Sequence, residues 1–434
     1  MLNRRSIDTV DGSSFGIRFR HPRYRDYCFS RLPWTVEWLL GAGDAARALP
    51  ADTLPRGAAP RGRPAVDRVV LVFADSFGWG HFERYRDRYP FLERFVSGNA
   101  EKAVASKLTA MFPSTTASHV TCVHTGLEPV ESGIYEWFQY HEAYDAVIAP
   151  LLFSFAGERD RDGMLAAGCD PSRLFEGETL HERLARARVR SRYVTPRSFT
   201  PSPYNDQVCR GALGFAYETF EGGLETASEL LSDSPEGLEY LHLYYGDIDA
   251  ASHRFGLYSV EMEAAVDRFL RGLERWVEAL RPASARTLLL VSADHGMTPV
   301  RSETTVYLNQ SWPEIGEHFQ RDRGGAPIVP AGSPRDFFLH VEPSEAEAVA
   351  AALRERLAGV AEVHLTAALV EGGLFGEAPP SRDFLSRVGN VVVLPFAGEA
   401  VWWYEKGRFE NRHRADHGGL TPEEMEIPLL ALLV

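Results

Sequence analysis

The feature that most constrains the fold is a set of short, continuous apolar runs rich in β-branched residues. The first occupies residues 68–74 (RVVLVFA). A run without polar alternation is typical of a strand buried on both faces of a parallel sheet. Similar runs recur at residues 238–245, 287–291, 390–394 and 427–434.

Helical patterns lie between these runs, notably at residues 259–280 and at residues 344–357, where Ser344 is the expected N-cap. Strands that alternate with helices indicate a mostly parallel sheet covered on both faces. We therefore predict the α/β class, as a three-layer α/β/α sandwich with a mostly parallel central sheet and a smaller cap or insertion.

The chain has 434 residues, which favours one large α/β domain with an insertion, or two domains. Residues 1–50 precede a stretch rich in Pro, Gly and Arg at residues 55–64. This pattern predicts an N-terminal extension and linker over residues 1–60. Gly/Pro-rich pieces at 323–334 and 371–381 bracket a strand and a helix. The predicted division is a core of residues 61–300 and 396–434 and a cap of residues 301–395.

The charge balance restricts the partners. Lys plus Arg number 46 and Asp plus Glu number 60, for a formal net charge of -14. This excess of acid disfavours broad binding to nucleic acid or to an anionic membrane. The basic N-terminal residues precede no apolar run, and no stretch approaches the roughly 18 apolar residues of a membrane span. We expect a cytoplasmic protein without a membrane partner.

The four cysteines are Cys28, Cys122, Cys169 and Cys209, far apart and without a CxxC pair. This spacing argues against a disulfide framework and against a thiolate metal site. We expect four free thiols.

Five motifs place Asp, His or Thr where the chain leaves a regular element. Asp75 follows the first apolar run, and Asp294 and His295 follow the run at 287–291. Ligands in open α/β sheets bind at the carboxyl ends of the strands, so side chains from distant positions can converge there. Each residue also has a structural reading, since an Asp after a strand is often only a helix N-cap or the start of a turn.

Two further motifs add ligand-type side chains. Asp249 and His253 are four residues apart, so one face of a helical turn can present both to a metal ion. His417 precedes a helix start that has Pro422 near its first position. Surface Asp/His pairs on helices are common, and Asp247 competes with Asp249 as the carboxylate.

The remaining motif is MFPSTTASHVTCVHTG at residues 111–126, where hydroxylated residues follow a proline and lead into a helix. A hydroxyl at a helix N-terminus meets exposed N–H groups and the positive end of the dipole, which favour an alkoxide or a phosphate. The structural alternative is a Ser/Thr N-cap.

Together the motifs supply three carboxylates, three imidazoles and a hydroxyl. Zinc accepts imidazole nitrogen and carboxylate oxygen, and a pair of ions clamps the attacking and leaving oxygens of an in-line displacement. The sequence therefore predicts two divalent metal ions, zinc or else manganese, and phosphoryl-transfer chemistry. The predicted metal ligands are Asp75, Asp249, His253, Asp294, His295 and His417.

These motifs also carry a family resemblance. FADSFGWG, FPSTTASHVTCVHTGLEPVESGI, DIDAASHRFG, SADHGM and DHGGLTPEEMEIPLL occur in the order found in the alkaline phosphatase superfamily. Within it the chain resembles the type I phosphodiesterase/nucleotide pyrophosphatase family. The resemblance implies an alkaline phosphatase-like fold and a metal-dependent hydrolase of small phosphate esters that forms a phospho-threonine intermediate.

The resemblance also assigns roles. It implies that Asp249, His253 and His417 hold one ion, and that Asp75, Asp294 and His295 hold the other with the oxygen of Thr116. Family members place the attacking hydroxyl ten residues before the glycine of a Thr-Gly dipeptide, here Thr125-Gly126, which selects Thr116. Thr115 is the second choice.

One departure concerns the substrate. Nucleotide pyrophosphatases carry an Asn after a Gly-Ile dipeptide to contact the substrate phosphate, whereas Trp137 stands at the matching position here. Gln139 is the nearest amide. Nucleotide specificity is therefore open, and a phosphomonoesterase or a phosphomutase is the alternative. A remote alternative is an inactive binding module, which metal analysis would distinguish.

Overall fold

The computed structural model describes residues 1–97, 99–158, 160–232, 237–280 and 285–434. In chain order its strands are β1 (Arg68–Ala74), β2 (Ala103–Thr109), β3 (Gln139–His141), β4 (Ala146–Ala149), β5 (Ser154–Phe155), β6 (Arg190–Pro196), β7 (Leu213–Tyr217), β8 (Glu239–Tyr245), β9 (Thr287–Ser292), β10 (Thr298–Pro299), β11 (Val306–Tyr307), β12 (Ala331–Ser333), β13 (Asp336–Leu339), β14 (Ala361–Leu365), β15 (Val391–Pro395), β16 (Val401–Trp402), β17 (Ala415–Asp416) and β18 (Glu426–Leu433).

The α-helices are α1 (Arg4–Asp11), α2 (Leu32–Leu39), α3 (Trp79–Tyr85), α4 (Pro90–Val96), α5 (Thr116–Thr125), α6 (Pro129–Ser132), α7 (Gly163–Ala166), α8 (Leu180–Arg186), α9 (Pro203–Val208), α10 (Phe220–Ser232), α11 (Asp247–Phe255), α12 (Val260–Ala279), α13 (Leu308–Ser311), α14 (Ala346–Arg356), α15 (Thr366–Glu371), α16 (Arg382–Arg387) and α17 (Pro422–Met425). Short 3-10 turns occur at Phe29–Arg31, Ala51–Thr53, Pro150–Leu152, Pro171–Arg173, Ser302–Thr304 and Pro313–His318.

A seven-stranded central sheet organises the molecule, in the order β2-β18-β9-β1-β8-β6-β7. The pairs of β1 with β8 and β9, of β6 with β8, and of β6 with β7 are parallel. β18 runs antiparallel to both of its neighbours, β2 and β9. The predicted mostly parallel central sheet is confirmed.

Helices cover this sheet on both faces. Every residue of β2, β8 and β9 is buried, and consecutive side chains of a strand point to opposite faces. The covering helices contact one another in two groups, one with α2, α5 and α8 and the other with α4, α10 and α12. The prediction of a three-layer α/β/α fold is therefore confirmed.

The sequence did not reveal three strands of the central sheet, β2, β6 and β7. All three lie near or at a sheet edge, where polar residues interrupt the apolar pattern. In β6, Arg192 forms an ion pair of 3.2 Å with Glu239 of β8. The predicted N-cap Ser344 was wrong, because Glu345 caps α14 without a side-chain hydrogen bond.

A second, smaller sheet has the antiparallel order β12-β13-β15-β14 and packs against α14. Its apolar residues form a separate core that also takes in Trp402 and Phe409. At the other end of the chain, Leu2 bridges to Ala105 of β2, and Val36 of α2 lies in the main core. The division at residues 60, 300 and 395 stays a prediction.

In the part of the chain that the structure describes, none of the helices has both the length and the apolar character needed to cross a membrane.

Candidate active site

The predicted site residues follow the carboxyl ends of neighbouring central strands. Asp75 comes directly after β1, and Asp294 and His295 follow β9. The loops are tied together, because the backbone N–H of Ser76 donates to Asp294 Oδ1 at 3.0 Å. Asp75 is tied to β8 by its own N–H, which donates to the carbonyl of Tyr245 at 2.9 Å.

Thr116 is the first residue of α5, and Thr115 is its N-cap. The Thr116 side chain is half-buried and faces the ligand-type residues, with Oγ1 at 3.3 Å from His295 Nε2. The Thr115 hydroxyl is buried and has no hydrogen-bond partner among the described residues. Of the two candidate nucleophiles, Thr116 is therefore the one beside the predicted ligands.

His119 explains how the turn before α5 is held. Its Nδ1 lies 2.8 Å from the carbonyl oxygen of Thr115, and its Nε2 accepts the backbone N–H of Met111 at 2.9 Å. A carbonyl oxygen only accepts, so Nδ1 carries the proton. His119 is thus a structural imidazole that fixes the start of the helix.

The first group of predicted ligands consists of Asp75, Asp294 and His295, whose ligand atoms lie within 4.8 Å of one another. His295 Nε2 is 3.5 Å from Asp75 Oδ1 and 3.3 Å from Asp294 Oδ2. All three side chains are buried.

The second group surrounds Asp249 of α11. Asp249 Oδ1 lies 3.4 Å from His253 Nε2 and 3.7 Å from His417 Nε2. His295 reaches this group as well, because Asp249, His295 and His417 also have ligand atoms within 4.8 Å of one another. The structure thus brings all six predicted ligands together, and the division into two triads stays a prediction.

The protonation of the three histidines follows from their second nitrogens. The Nδ1 atoms of His253, His295 and His417 lie 2.9 to 3.0 Å from the backbone carbonyls of Ala415, Gly296 and Ser114. Each Nδ1 must therefore donate, and in a neutral ring Nε2 is left with a lone pair. Metal-binding histidines in proteins are oriented in this way.

Like the three histidines, the carboxylates have acceptor atoms that can bind a cation. Asp75 Oδ1, Asp249 Oδ1 and Asp294 Oδ2 are buried and lack a hydrogen-bond partner among the described residues. Burial, followed by the nearby Asp294 and Asp249 carboxylates, raises the pKa of Asp75 well above its usual range. Unpaired carboxylate oxygens and imidazole lone pairs that face one another repel unless a cation lies between them. The residues therefore fit divalent metal ions.

Two features near the ligands were not foreseen. The Tyr244 hydroxyl donates to Asp75 Oδ2, which leaves Asp75 Oδ1 facing the site. Behind His253, the His413 Nδ1 lies 3.3 Å from Asp416 Oδ2, and these two residues form another candidate ligand group with His253. Tyr244 belongs to a strand outside the quoted motifs. Asp416 begins the DHGG motif, in which the resemblance assigned a role only to His417.

A cavity of about 300 Å³ opens beside the ligands, with Asp75, Thr116 and Asp249 on its wall. Much of the rest is aromatic. This part of the lining includes Trp137, Tyr193, Phe199, Tyr204 and Tyr244. Arg161 and Asn205 add polar groups. The cavity can therefore hold a flat apolar group next to the Thr116 hydroxyl.

The candidate amide Gln139 does not reach this cavity. Its Nε2 donates to the carbonyl of Gly133 at 3.0 Å, and its Oε1 accepts the N–H of Tyr135 at 3.2 Å. Gln139 is fully buried and serves the local turn. It is not a substitute for the missing Asn, and Trp137 lines the cavity instead.

An α/β sandwich with such acceptors beside a helix-terminal hydroxyl has the architecture of a hydrolase of phosphoric esters. The family model of type I phosphodiesterase / nucleotide pyrophosphatase matches residues 69–420, and the chain belongs to this family. It is accordingly a hydrolase of the phosphodiesterase/pyrophosphatase type. No curated protein matches the chain.

Solved structures show the same fold. Murine ectonucleotide pyrophosphatase / phosphodiesterase 5 has a TM-score of 0.61 at 16% identity, covering 83% of this chain and 87% of that chain. An inactive threonine-to-alanine variant of the murine protein in complex with AMP gives the same values. The human protein has a TM-score of 0.59 at 16% identity, covering 84% of this chain and 87% of that chain.

Proposed function

We propose that the chain hydrolyses small phosphodiesters in two successive displacements at phosphorus, with Thr116 as the nucleophile and two divalent metal ions as cofactors. The observation that carries the proposal is the position of Thr116 Oγ1, 3.3 Å from His295 Nε2 at the start of α5. His295 has ligand atoms close to both groups of predicted ligands, so the Thr116 hydroxyl adjoins the residue that the two groups share.

The Thr116 hydroxyl and the backbone N–H groups at the start of α5 support the first displacement. The Thr116 oxygen attacks phosphorus, the bond from phosphorus to the leaving group breaks, and the hydroxyl proton ends on the leaving alcohol. Thr115 makes no side-chain hydrogen bond to the first turn of α5. The N–H groups of that turn can therefore orient the phosphate oxygens.

The product of this step is a phosphoryl-threonine that keeps the second ester group. A water molecule then attacks phosphorus, the bond from phosphorus to the threonine oxygen breaks, and the Thr116 hydroxyl is restored. A phosphate monoester leaves the site. Most of the rate enhancement comes from positioning and charge neutralisation.

We propose Asp75, Asp294 and His295 as the holders of one ion and Asp249, His253 and His417 as the holders of the other. When bound, the ions would supply the positive charge that stabilises the alkoxide and the phosphate oxygens. Zinc is the proposed metal, because each set combines imidazole nitrogen with carboxylate oxygen, and manganese is the second candidate.

For the substrate, we propose a phosphodiester with an aromatic group on one side of phosphorus, such as a nucleotide derivative. The aromatic cavity beside Thr116 supports this choice, as does the AMP bound to the inactive variant of the murine relative. We expect faster hydrolysis of bis-p-nitrophenyl phosphate than of p-nitrophenyl phosphate. The opposite preference would favour the phosphomonoesterase alternative.

Variants of the two adjacent threonines test the nucleophile. Thr116→Val removes the attacking hydroxyl, so we expect kcat/KM for the diester to fall by at least about 10³-fold. Thr116→Ser restores a hydroxyl and should recover part of the activity. Thr115→Val is the matched control and should stay within about tenfold of the native chain, since the buried Thr115 hydroxyl forms no hydrogen bond to any of the predicted ligands. If Thr115→Val were the inactive variant, the assignment would be wrong.

A further inference from the structure

Another cluster of ligand-type side chains lies beside the cavity, with His124 on the cavity wall. His124 is near the end of α5, His181 is on α8, and Cys209 is the C-cap of α9. One ligand atom from each lies within 4.8 Å of the others. All three side chains are buried.

His242 of β8 completes the surroundings of this cluster. Its ring centroid lies 4.7 Å from that of His124. Both of its nitrogens are buried and lack a hydrogen-bond partner among the described residues. Leaving two nitrogens of one buried ring without partners is unfavourable, which indicates a missing ligand close to the cluster.

A chain of hydrogen bonds explains how His124 and His181 are held, but it does not include His242. His124 Nδ1 lies 2.9 Å from His181 Nε2, and His181 Nδ1 lies 2.5 Å from the Ser191 hydroxyl. This chain occupies both nitrogens of His181, so an ion bound at His181 Nε2 would replace the hydrogen bond to His124. The chain leaves His242 unexplained. Burial lowers the pKa of His124 to about 3, so its ring is neutral, as a metal ligand must be.

We propose that His124, His181 and Cys209 form a third metal site, and that His242, which lies beside this group but outside it, turns toward a bound ion as the fourth ligand. Three imidazoles and one thiolate suit a borderline transition metal, and zinc is the expected ion. Burial raises the pKa of the Cys209 thiol, so binding releases the thiol proton as the metal–sulfur bond forms. The spacing of the cysteines gave no sign of this site, because its ligands come from four separate elements.

The site has an entry path and a structural consequence. His124 and His242 lie on the wall of the cavity that also holds Thr116, so an ion can reach them from there. A bound ion would link α5, which begins at Thr116, to α8, to the end of α9 and to β8. The third ion would therefore hold the helix that carries the nucleophile against its neighbours.

Cobalt substitution tests the proposal, because a cobalt–thiolate bond has a charge-transfer band in the near ultraviolet and the other predicted ligands contain no sulfur. We expect the full chain loaded with Co²⁺ to show this band. Cys209→Ser should lose the band and one equivalent of metal while keeping the remaining equivalents. The control is Cys169→Ser, which removes a partly exposed free cysteine nearby. This variant should retain both the charge-transfer band and the full metal content.

The outcomes separate this site from the proposed catalytic ions. Absence of the band in folded, cobalt-loaded native chain would overturn the third site, as would a band that survives Cys209→Ser. If the two proposed catalytic ions do not bind, the result is different, because Cys209→Ser should then retain no metal. His242→Phe is the second variant, and it should weaken Co²⁺ binding by about tenfold or more while the sulfur band remains.

Discussion

At the scale of single residues, the site depends on groups that fix which atom of each ligand faces the metal. Tyr244 is the clearest case, because its hydroxyl occupies Asp75 Oδ2 and leaves Oδ1 free. Partners of this kind orient the ligand and hold its charge in place.

Replacement of Tyr244 by Phe removes this partner. We expect metal affinity to fall by about 10- to 100-fold, measured by titration of metal-free protein with zinc. Tyr245→Phe is the matched control, because the Tyr245 hydroxyl donates to the carbonyl of Ala265 away from the site. It should cost about 1 kcal/mol of stability and leave metal affinity unchanged. Equal losses in the two variants would refute a role for Tyr244 in orienting Asp75.

Much of the site could be predicted from residue types and from their order along the sequence. Asp75, Asp294 and His295 could be predicted because each follows an apolar run and strand ends converge. Thr116 needed the family's spacing, since local chemistry alone did not separate it from Thr115. The cluster around His124 could not be predicted, because His181, Cys209 and His242 are distant from it in sequence and meet it only through tertiary packing.

At the scale of elements, the loops after β1 and β9 approach each other backbone to backbone. A Cβ atom on Gly78 would lie 2.6 Å from the Cα of Gly296, and one on Gly296 would lie 2.1 Å from the carbonyl oxygen of Glu423. These loops carry Asp75 and His295. The glycines therefore allow the ligands to meet.

We expect Gly296→Ala to push the loop after β9 away from Glu423 of α17 and so to displace His295. Activity toward the diester should fall by about 100-fold or more, because small misplacements of catalytic groups have large effects. The free energy of unfolding should decrease by about 1–3 kcal/mol. Gly80→Ala is the control from the neighbouring motif, since a Cβ there meets open space. Should both variants keep native activity, the close approach would have no role in placing the ligands.

The central strands could be predicted from the sequence and the strands near the sheet edge could not, and burial explains the difference. β1, β8 and β9 lie inside the sheet and are buried on both faces, so their sequences are continuously apolar. β6 and β7 are nearer the edge, and β7 includes exposed residues. Such strands take their place from pairing with neighbours rather than from their own pattern.

At the scale of the whole molecule, the buried carboxylates of the site oppose folding when no cation is present. Asp75 and Asp294 are buried and face each other's charge. Bound ions should therefore stabilise the entire core, since the ligands come from widely separated parts of the chain. The proposed metals act in this sense as links across the sandwich.

We expect chelation to lower the melting temperature and zinc or manganese to restore it. An ion at a hundredfold excess over its Kd adds about 2.7 kcal/mol to the free energy of unfolding. Asp294→Asn, which weakens one group of ligands, should show a smaller response in the same calorimetric experiment. A melting temperature that stays constant after verified removal of metal would contradict this coupling.

The overall architecture could be predicted from the sequence, because the alternation of apolar runs with helices permits few arrangements. The cap was harder to delimit, since its core draws on Trp402 and Phe409 from beyond residue 395. The cytoplasmic location stays a prediction. The substrate depends on the cavity, where Trp137 and the other aromatic residues come from segments that the shared motifs do not determine.

The central claim is that hydrolysis proceeds through a covalent bond between Thr116 and phosphorus. The most direct test is the stereochemical course of hydrolysis of a chiral phosphorothioate diester in isotopically labelled water. Two in-line displacements each invert phosphorus, so we predict overall retention of configuration. Overall inversion would show direct attack by water and would contradict the account.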